Sequence, residues 1–415
     1  MPGDKSISHR AALIAALSGG SSQISNFSTA RDCASTIGCL QDLGISIENK
    51  QDKLIFAGGQ KFTTPNKPLD CGNSGSTLRI LAGVLAGHDL SATLVGDESL
   101  SSRPMRRIIE PLELMGAKIE ATDGKAPLTI HGSKRLTPIT YKLPIASAQV
   151  KSAILFAGLN AAGKTTVIET SSTRDHTERL FNGFGVPVTT NSDLSVTLDG
   201  PARLSGGAIT IPGDVSSAAY FVAAAMLLPE SELTIEGVGL NPTRAAFLSV
   251  LNSWGAEIST YDLQMERNEP HGRINVRGGI SAIPGETERT LRRSMIPALI
   301  DELPLLAVVG SQIEGGIRIR DAAELRHKES DRLAATAKNL RAMGAEVEEF
   351  EDGLSVSGPT RLRGALIDSH GDHRIAMAFA VAALIADGET EISGAECVAI
   401  SFPEFFDLLQ SVVVR

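Results

Sequence analysis

The chain has 415 residues, 42% of them hydrophobic, 21% charged and only 4% aromatic, with 39 Lys and Arg against 48 Asp and Glu for a net charge of −9. A chain this long and apolar folds into two or three domains rather than staying disordered, and its acidic total argues against a general nucleic-acid binder, which needs a basic face. Its longest charge-free apolar stretches, such as Ser216 to Pro229, fall short of the roughly 18–20 residues a membrane span requires.

The opening Pro2-Gly3-Asp4-Lys5-Ser6-Ile7-Ser8-His9-Arg10 predicts a helix that starts on a polar turn. Ser6 and Arg10 lie four apart, on one helical face, with Lys5 at the helix mouth. The residues alone leave two readings open, a capped helix with a solvated basic turn or a cationic site; His9 is read as structural. Leu43-Gly44-Ile45-Ser46-Ile47 then introduces a phrase that returns around Gly116, Gly185, Gly255 and Gly344. Each copy follows a stretch of helical period and precedes alternating residues, so its glycine reads as a helix C-cap leading into a strand.

Asn73-Ser74-Gly75-Ser76-Thr77 is a polar turn before the apolar run Leu78 to Leu85. The arrangement repeats at Ser147-Ala148-Gln149 before Val150 to Leu159, at Asp214 to Ser217 before Ala218 to Leu228, and at Gly371-Asp372-His373-Arg374 before Ile375 to Ile385. Helices apolar all round are predicted to be buried. Between the first two lies Ser99 to Arg107, a loop with three arginines. Arg106 and Arg107 read as solvated, and Arg103, fixed before Pro104, as the functional candidate. Gly158 to Thr165 fits the P-loop pattern, but that mechanism needs a strand before the loop and a helix after it. Here residues 149–159 read as helix and Thr165 to Ile168 as strand, so the segment is a helix-to-strand turn.

Asp301-Glu302 precedes the apolar Leu303 to Val309; a carboxylate there either accepts a proton from a substrate hydroxyl or caps the helix. Leu325-Arg326-His327-Lys328-Glu329-Ser330-Asp331-Arg332 is the densest charged cluster. On a helix, Lys328, Glu329 and Arg332 face one site, and simple ion pairs are the plain alternative. A glutamate between two cations stays ionised unless buried, so proton transfer by Glu329 requires a closed, dry site. His370 and His373 have H-x-x-H spacing in a turn without a third ligand, and no metal site is expected. Cys33, Cys39, Cys71 and Cys397 form no C-x-x-C pair and read as reduced thiols of a cytoplasmic protein.

Pro2-Gly3-Asp4-Lys5-Ser6 is echoed by Pro212-Gly213-Asp214-Val215-Ser216. Together with the glycine phrases and the polar-turn helices, this echo points to six units in two sets of three, each with a buried helix under strands. Such units predict an α/β chain of two similar domains, 5–212 and 213–415 with 1–4, crossing near residues 2–4 and 212–214. A helix N-terminus carries free N–H groups and about half a positive charge. Several of them, with Lys5, Ser6, Arg10, Gln149, His373 and Arg374 in their first turns, predict a cleft between the domains for anionic small molecules.

Residues 2–10, Leu69 to Arg79, Ser101 to Met105, Ser147 to Gln149, Lys328 to Arg332 and Gly371 to Arg374 together resemble the 3-phosphoshikimate 1-carboxyvinyltransferase (EPSP synthase) family of enolpyruvyl transferases, in order along nearly the whole chain. The resemblance implies a two-domain inside-out α/β barrel of six βαβαββ units, three per domain, with buried parallel helices covered by sheets. It implies transfer of the enolpyruvyl group of phosphoenolpyruvate to the 5-hydroxyl of shikimate 3-phosphate, with glyphosate as the family's inhibitor. It also implies a monomer with no metal or organic cofactor and no nucleic-acid or membrane partner. By motif, Lys5, Ser6, Arg10, Ser147, Ala148, Gln149, Arg174, Asp301 and Lys328 correspond to the shikimate 3-phosphate site. Lys5, Gly75, Arg103, Gln149, Arg332 and Arg374 correspond to the phosphoenolpyruvate site. Asp301, Glu329 and Lys5 are the implied catalytic residues, Asp301 facing the 5-hydroxyl and Glu329 moving the methylene proton.

The chain departs from the family pattern at Ile400, where many members have lysine, and at Glu324, where some have asparagine. Relatives usually carry about ten or more residues before the Pro-Gly-Asp-Lys motif, forming a strand of the second domain; without that strand, an exposed sheet edge and lower stability are expected. UDP-N-acetylglucosamine enolpyruvyl transferase, of the same fold, is the near alternative. It would favour Asn after the first lysine and a cysteine in the arginine loop, whereas this chain has Ser6 and no cysteine from Gly96 to Arg107. A non-catalytic anion-binding protein on the same scaffold would be expected to lack Glu329 or Asp301.

Overall fold

A computed structural model describes residues 1–280 and 289–413, and the chain divides into two units. One comprises Pro2–Pro212 with Met265–Pro270, the other Met1, Gly213–Gln264 and His271–Arg415. Residues 2–4 thus group with the first unit and not, as expected, with the second. The Asp4 amide donates to the Pro212 carbonyl at 2.8 Å, and Gly3 lies so close to Asn26 that a Cβ would fall 1.8 Å from its carbonyl oxygen. Residues 265–270 also group with the first unit, which the sequence did not suggest: the Arg267 guanidinium donates to the carbonyls of Ala208 and Gly183.

The first unit repeats one pattern three times. Strand Leu69–Asp70 leads into helix Gly75–Ala86 and strand Ser91–Val95, then helix Arg106–Leu114 and the strands Lys118–Thr122 and Lys125–His131. The leading strand pairs parallel with Ser91–Val95, and the other two strands run antiparallel. Strands Thr140–Lys142, Gly163–Ile168, Val188–Thr190 and Ser195–Gly200 repeat this arrangement. In the remaining sheet, Ser22–Ser25 takes its parallel neighbour from Gly207–Thr210, at the far end of the unit. The unit therefore closes on itself through its last strand.

Helices Lys5–Leu17, Gly75–Ala86 and Ala148–Gly158 lie inside these sheets and are buried on nearly every side. Their Ala and Gly content permits close approach: at Gly83 a Cβ would lie 2.1 Å from the Ala153 carbonyl oxygen. The intervening helices are amphipathic; Arg106–Leu114 buries Ile108, Pro111 and Leu112 and leaves its charged face outward. The recurrent glycines Gly44, Gly116, Gly185, Gly255 and Gly344 have φ of 87°, 105°, 86°, 94° and 94°. That is the left-handed conformation of a helix C-cap, which glycine adopts without a Cβ clash.

In the second unit the buried helices are Val215–Leu227, Leu303–Gly310 and His373–Ile385. Among the described residues their sheets have three, four and two strands. The three-stranded sheet runs Glu232–Gly239, Glu269–Ile280, Ala256–Glu266, and beyond its ladder Glu232–Gly239 makes one parallel bridge, Val238 to Gly213. Gly158 ends a helix and Gly163 begins a strand, so the P-loop-like segment has the inverted order expected. Among the described residues, no helix is long and apolar enough to cross a membrane.

Candidate active site

Five of the six buried helices open on a side chain that caps its own first turn: Asp4, Ser74, Ser147, Asp214 and Asp372 each accept from a backbone N–H two or three residues on. Capping fixes the chain direction at each helix mouth, and the next residues are the ones the sequence singled out. The exception is Leu303–Gly310, whose N-cap, Glu302, makes no side-chain cap bond; the Asp301-Glu302 pair is thus directed elsewhere.

In the first unit, Lys5 Nζ lies 2.8 Å from Asp32 Oδ2. Arg10 is buried, with Nε donating to Thr177 Oγ1, Nη1 to the Ser6 carbonyl and Nη2 to Ser152 Oγ, each at 2.8 Å. Burial lowers its pKa to about 10, leaving it charged at neutral pH. Arg10 thus braces the wall of the site with three of its five N–H groups. Arg174, in the segment before helix His176–Gly183, reaches Ser6 Oγ at 3.4 Å. Gln149 accepts from Arg79 Nη1 at 2.5 Å and donates to Ser76 Oγ at 2.9 Å. Arg103 is buried and donates from Nη2 to Asn73 Oδ1 at 2.7 Å, whereas Arg106 is exposed. A Cβ on Gly75 would sit 3.1 Å from Arg79 Nη1 and 3.5 Å from Arg103 Nη1, so Gly75, Arg79, Arg103 and Gln149 form one cationic cluster. His9 is buried, with Nδ1 2.7 Å from Thr36 Oγ1.

In the second unit the charged segment is not the single helix expected. Ala323–His327 is a 3-10 turn, Lys328 is extended, and Asp331 caps a new helix, Arg332–Ala342, by accepting from the Ala334 amide. The Asp331 cap starts a second helix and breaks the i,i+4 register between Lys328 and Arg332. The residues still converge. Arg332 Nη2 lies 2.6 Å from Glu329 Oε2, Nη1 3.4 Å from Asp301 Oδ1, and Nε 2.8 Å from Asp372 Oδ2. Arg374 Nη2 approaches Asp301 Oδ2 at 3.8 Å. Burial opposes the charge on both arginines, and their acidic neighbours outweigh it, so both are held above their ordinary pKa. Burial lowers the pKa of Lys328 against the pull of Asp301 and Glu324. Asp301 is therefore a carboxylate facing three cations, able to orient or accept a proton.

A family model described as EPSP synthase (3-phosphoshikimate 1-carboxyvinyltransferase) matches residues 1–409. The chain belongs to the EPSP synthase family. A relative from Koribacter versatilis named 3-phosphoshikimate 1-carboxyvinyltransferase is 52% identical over all of this chain and 96% of its own length. A relative of the same name from Pelotomaculum thermopropionicum is 48% identical over 100% and 96%. The solved structure of the EPSP synthase from Acinetobacter baumannii superposes with a TM-score of 0.87 at 38% identity, covering 99% of this chain and 94% of that one. The fold is thus the two-domain EPSP synthase fold.

Several side chains around the family's motif positions were not singled out as site residues from the sequence. Asp32, Asn73 and Ser76 hold Lys5, Arg103 and Gln149; Arg79, four residues after Gly75 and so on its face of the helix, was the one a periodicity argument would find. Buried Tyr220, its pKa raised to about 12 by burial, is an electrostatic neighbour of Arg374. Glu302 accepts from Ser216 Oγ, which itself accepts from Arg244 Nη2 at 2.6 Å. Burial and the neighbouring Asp301 push the Glu302 carboxyl up. His370 pairs with Asp368, its Nδ1 3.4 Å from Oδ2, and His373 opens its helix. Among the described residues, no three His, Cys, Asp or Glu are placed to hold a metal. The four cysteines are free thiols, three of them buried. Ile400 is half-buried at the end of a 3-10 turn.

Proposed function

We propose that this protein transfers the enolpyruvyl group of phosphoenolpyruvate to the 5-hydroxyl of shikimate 3-phosphate, giving 5-enolpyruvylshikimate 3-phosphate and phosphate. Both substrates are multiply anionic, and the buried cations and capped helix N-termini supply the matching charge. Lys5, Ser6, Arg10, Ser147, Ala148, Gln149, Arg174 and Lys328 take the sugar phosphate. Lys5, Gly75, Arg103, Gln149, Arg332 and Arg374 take phosphoenolpyruvate.

Protonation of the phosphoenolpyruvate methylene by Glu329 makes C2 electrophilic. The 5-hydroxyl oxygen adds to C2 as Asp301 accepts its proton. The tetrahedral adduct then loses phosphate as Glu329 takes a proton back from the methyl group, restoring the double bond. Holding the hydroxyl against C2 and meeting the developing charge with fixed cations supply much of the rate. Glu329 is paired with Arg332. An anionic substrate on Arg332 competes for those donors and frees the Glu329 carboxyl for proton transfer.

The observation that carries this reading is the Asp301–Arg332–Glu329 cluster, retained in a chain that matches enzymes of that name along its whole length. Phosphate release measured with phosphoenolpyruvate and shikimate 3-phosphate tests it. Release with UDP-N-acetylglucosamine in place of shikimate 3-phosphate, or none with either acceptor, would overturn it.

A further inference from the structure

Lys151 lies one turn past Ser147 in the buried helix Ala148–Gly158 and is 1% exposed. Its ammonium lies 2.9 Å from Glu169 Oε2 and 2.6 Å from Glu178 Oε1. These carboxylates bracket the segment bearing Arg174: Glu169 follows strand Gly163–Ile168, and Glu178 lies in the first turn of helix His176–Gly183. From within the segment, Thr173 Oγ1 donates to the other oxygen of Glu169.

A second staple runs beside the first. Ser152 and Thr177, the chain neighbours of Lys151 and Glu178, share a hydroxyl contact of 2.7 Å, and both accept from Arg10. At the start of the same helix, His176 Nδ1 lies 2.7 Å from Glu269 Oε1, with both side chains buried.

We infer that Lys151 is a positioning residue for the sugar-phosphate end of the site, clamping both ends of the Arg174 segment to the helix whose first turn carries Ser147, Ala148 and Gln149. This rests on the proposed function for the identity of the ligand. Lys151 touches no substrate-facing group directly; it acts through the placement of Arg174 and of the Ser147–Gln149 turn. One ammonium between two carboxylates suits that role. A buried ion triad kept only for packing can often be replaced as a whole by uncharged side chains at little cost, whereas one bridging two separate chain segments fixes their spacing. Burial opposes the Lys151 charge and the two glutamates outweigh it, so the ammonium persists; burial also pushes the Glu178 carboxyl up.

Removing Lys151 alone strands two buried carboxylates, so the test uses the uncharged triple variant Lys151→Met/Glu169→Gln/Glu178→Gln beside Lys151→Arg. Binding of shikimate 3-phosphate is measured by calorimetry, and kcat and both KM values by phosphate release. The triple variant is expected to weaken shikimate 3-phosphate binding and raise its KM by about tenfold to a hundredfold, with the phosphoenolpyruvate KM, to which Gln149 of the same turn contributes, rising by a clearly smaller factor. Lys151→Arg, which keeps a cation between the glutamates, is expected to recover most of the loss. If the triple variant does not fold, Thr173→Val carries the test, because it loosens only the segment's bond to Glu169; a selective rise in the same KM is expected. Unchanged shikimate 3-phosphate affinity in a folded variant, or equal weakening for both substrates, would overturn the clamp. A wild-type protein that fails to bind shikimate 3-phosphate would instead overturn the function on which it rests.

Discussion

Arg332 holds Glu329 at 2.6 Å through Nη2 while its Nε sits 2.8 Å from Asp372. One buried guanidinium thus joins a fully buried carboxylate to one whose side chain is 18% exposed. The two pairs serve different ends. The Asp372 pair anchors the arginine to the cap of helix His373–Ile385. The Glu329 pair is at the solvent side, where an arriving anion can displace it.

Glu329→Ala is therefore expected to remove the proton donor and leave the anchored arginine in place. Turnover should fall by about 10²–10⁴-fold, the usual worth of a positioned acid–base group. Calorimetric affinity for shikimate 3-phosphate should survive. Full activity in this variant would take Glu329 out of the mechanism.

Asp372 does two jobs, accepting from the Arg374 amide as a cap and from Arg332 as a charge partner. Asp372→Ala leaves Arg332 buried without its main partner, a loss of roughly 3–5 kcal/mol. Asp372→Asn keeps a good capping side chain and loses only the charge, so it should fall between wild type and Ala in urea unfolding. Equal midpoints for Asn and Ala would show that the charge pair accounts for the whole effect and the cap for none.

Gly75→Ala adds a methyl 3.1 Å from Arg79 Nη1 and 3.5 Å from Arg103 Nη1. The ends of these side chains can shift, so the helix tolerates the change, but the space for an anion narrows. One methyl group in a fitted pocket is worth about 10-fold or more in discrimination. The phosphoenolpyruvate KM and the glyphosate inhibition constant should both rise by at least that order, with the melting temperature little changed. An unchanged inhibition constant would place Gly75 outside the phosphoenolpyruvate region.

The residues readable in the sequence were those in short local patterns. Ser74, Ser147, Asp214 and Asp372 announce helix starts, and Lys5, Arg103 and Arg374 lie within a few residues of such starts or of a proline-fixed loop. The glycine phrases marked helix ends because a left-handed C-cap needs glycine. What stayed hidden was set by distance along the chain. Nothing local links Lys5 to Asp32, Ser216 to Glu302, or Lys151 to Glu178, and each of those contacts requires two helices to be packed first. The single helix expected across Lys328 and Arg332 failed for a local reason: Asp331 is a stronger helix start than the charge spacing was evidence of continuity.

His9 offers a stability test that involves no substrate. It is fully buried, and burial, helped by Lys5 and Arg10, holds its pKa well below the ordinary 6.5. In the folded protein the imidazole stays neutral; in the unfolded chain it takes up a proton as the pH falls through 6.5. The unfolded state therefore binds more protons between 6.5 and the depressed folded value, and through that window stability declines on acidification, by up to about 1.4 kcal/mol per pH unit from this one group. His9→Gln cannot take up the proton and retains a polar atom for Thr36. Although it is less stable at neutral pH, its unfolding free energy should fall less steeply than that of the wild type from pH 7 to pH 5, as read from urea midpoints at each pH. Parallel pH profiles for the two proteins would mean that His9 titrates alike in both states, and that its burial exacts no protonation cost.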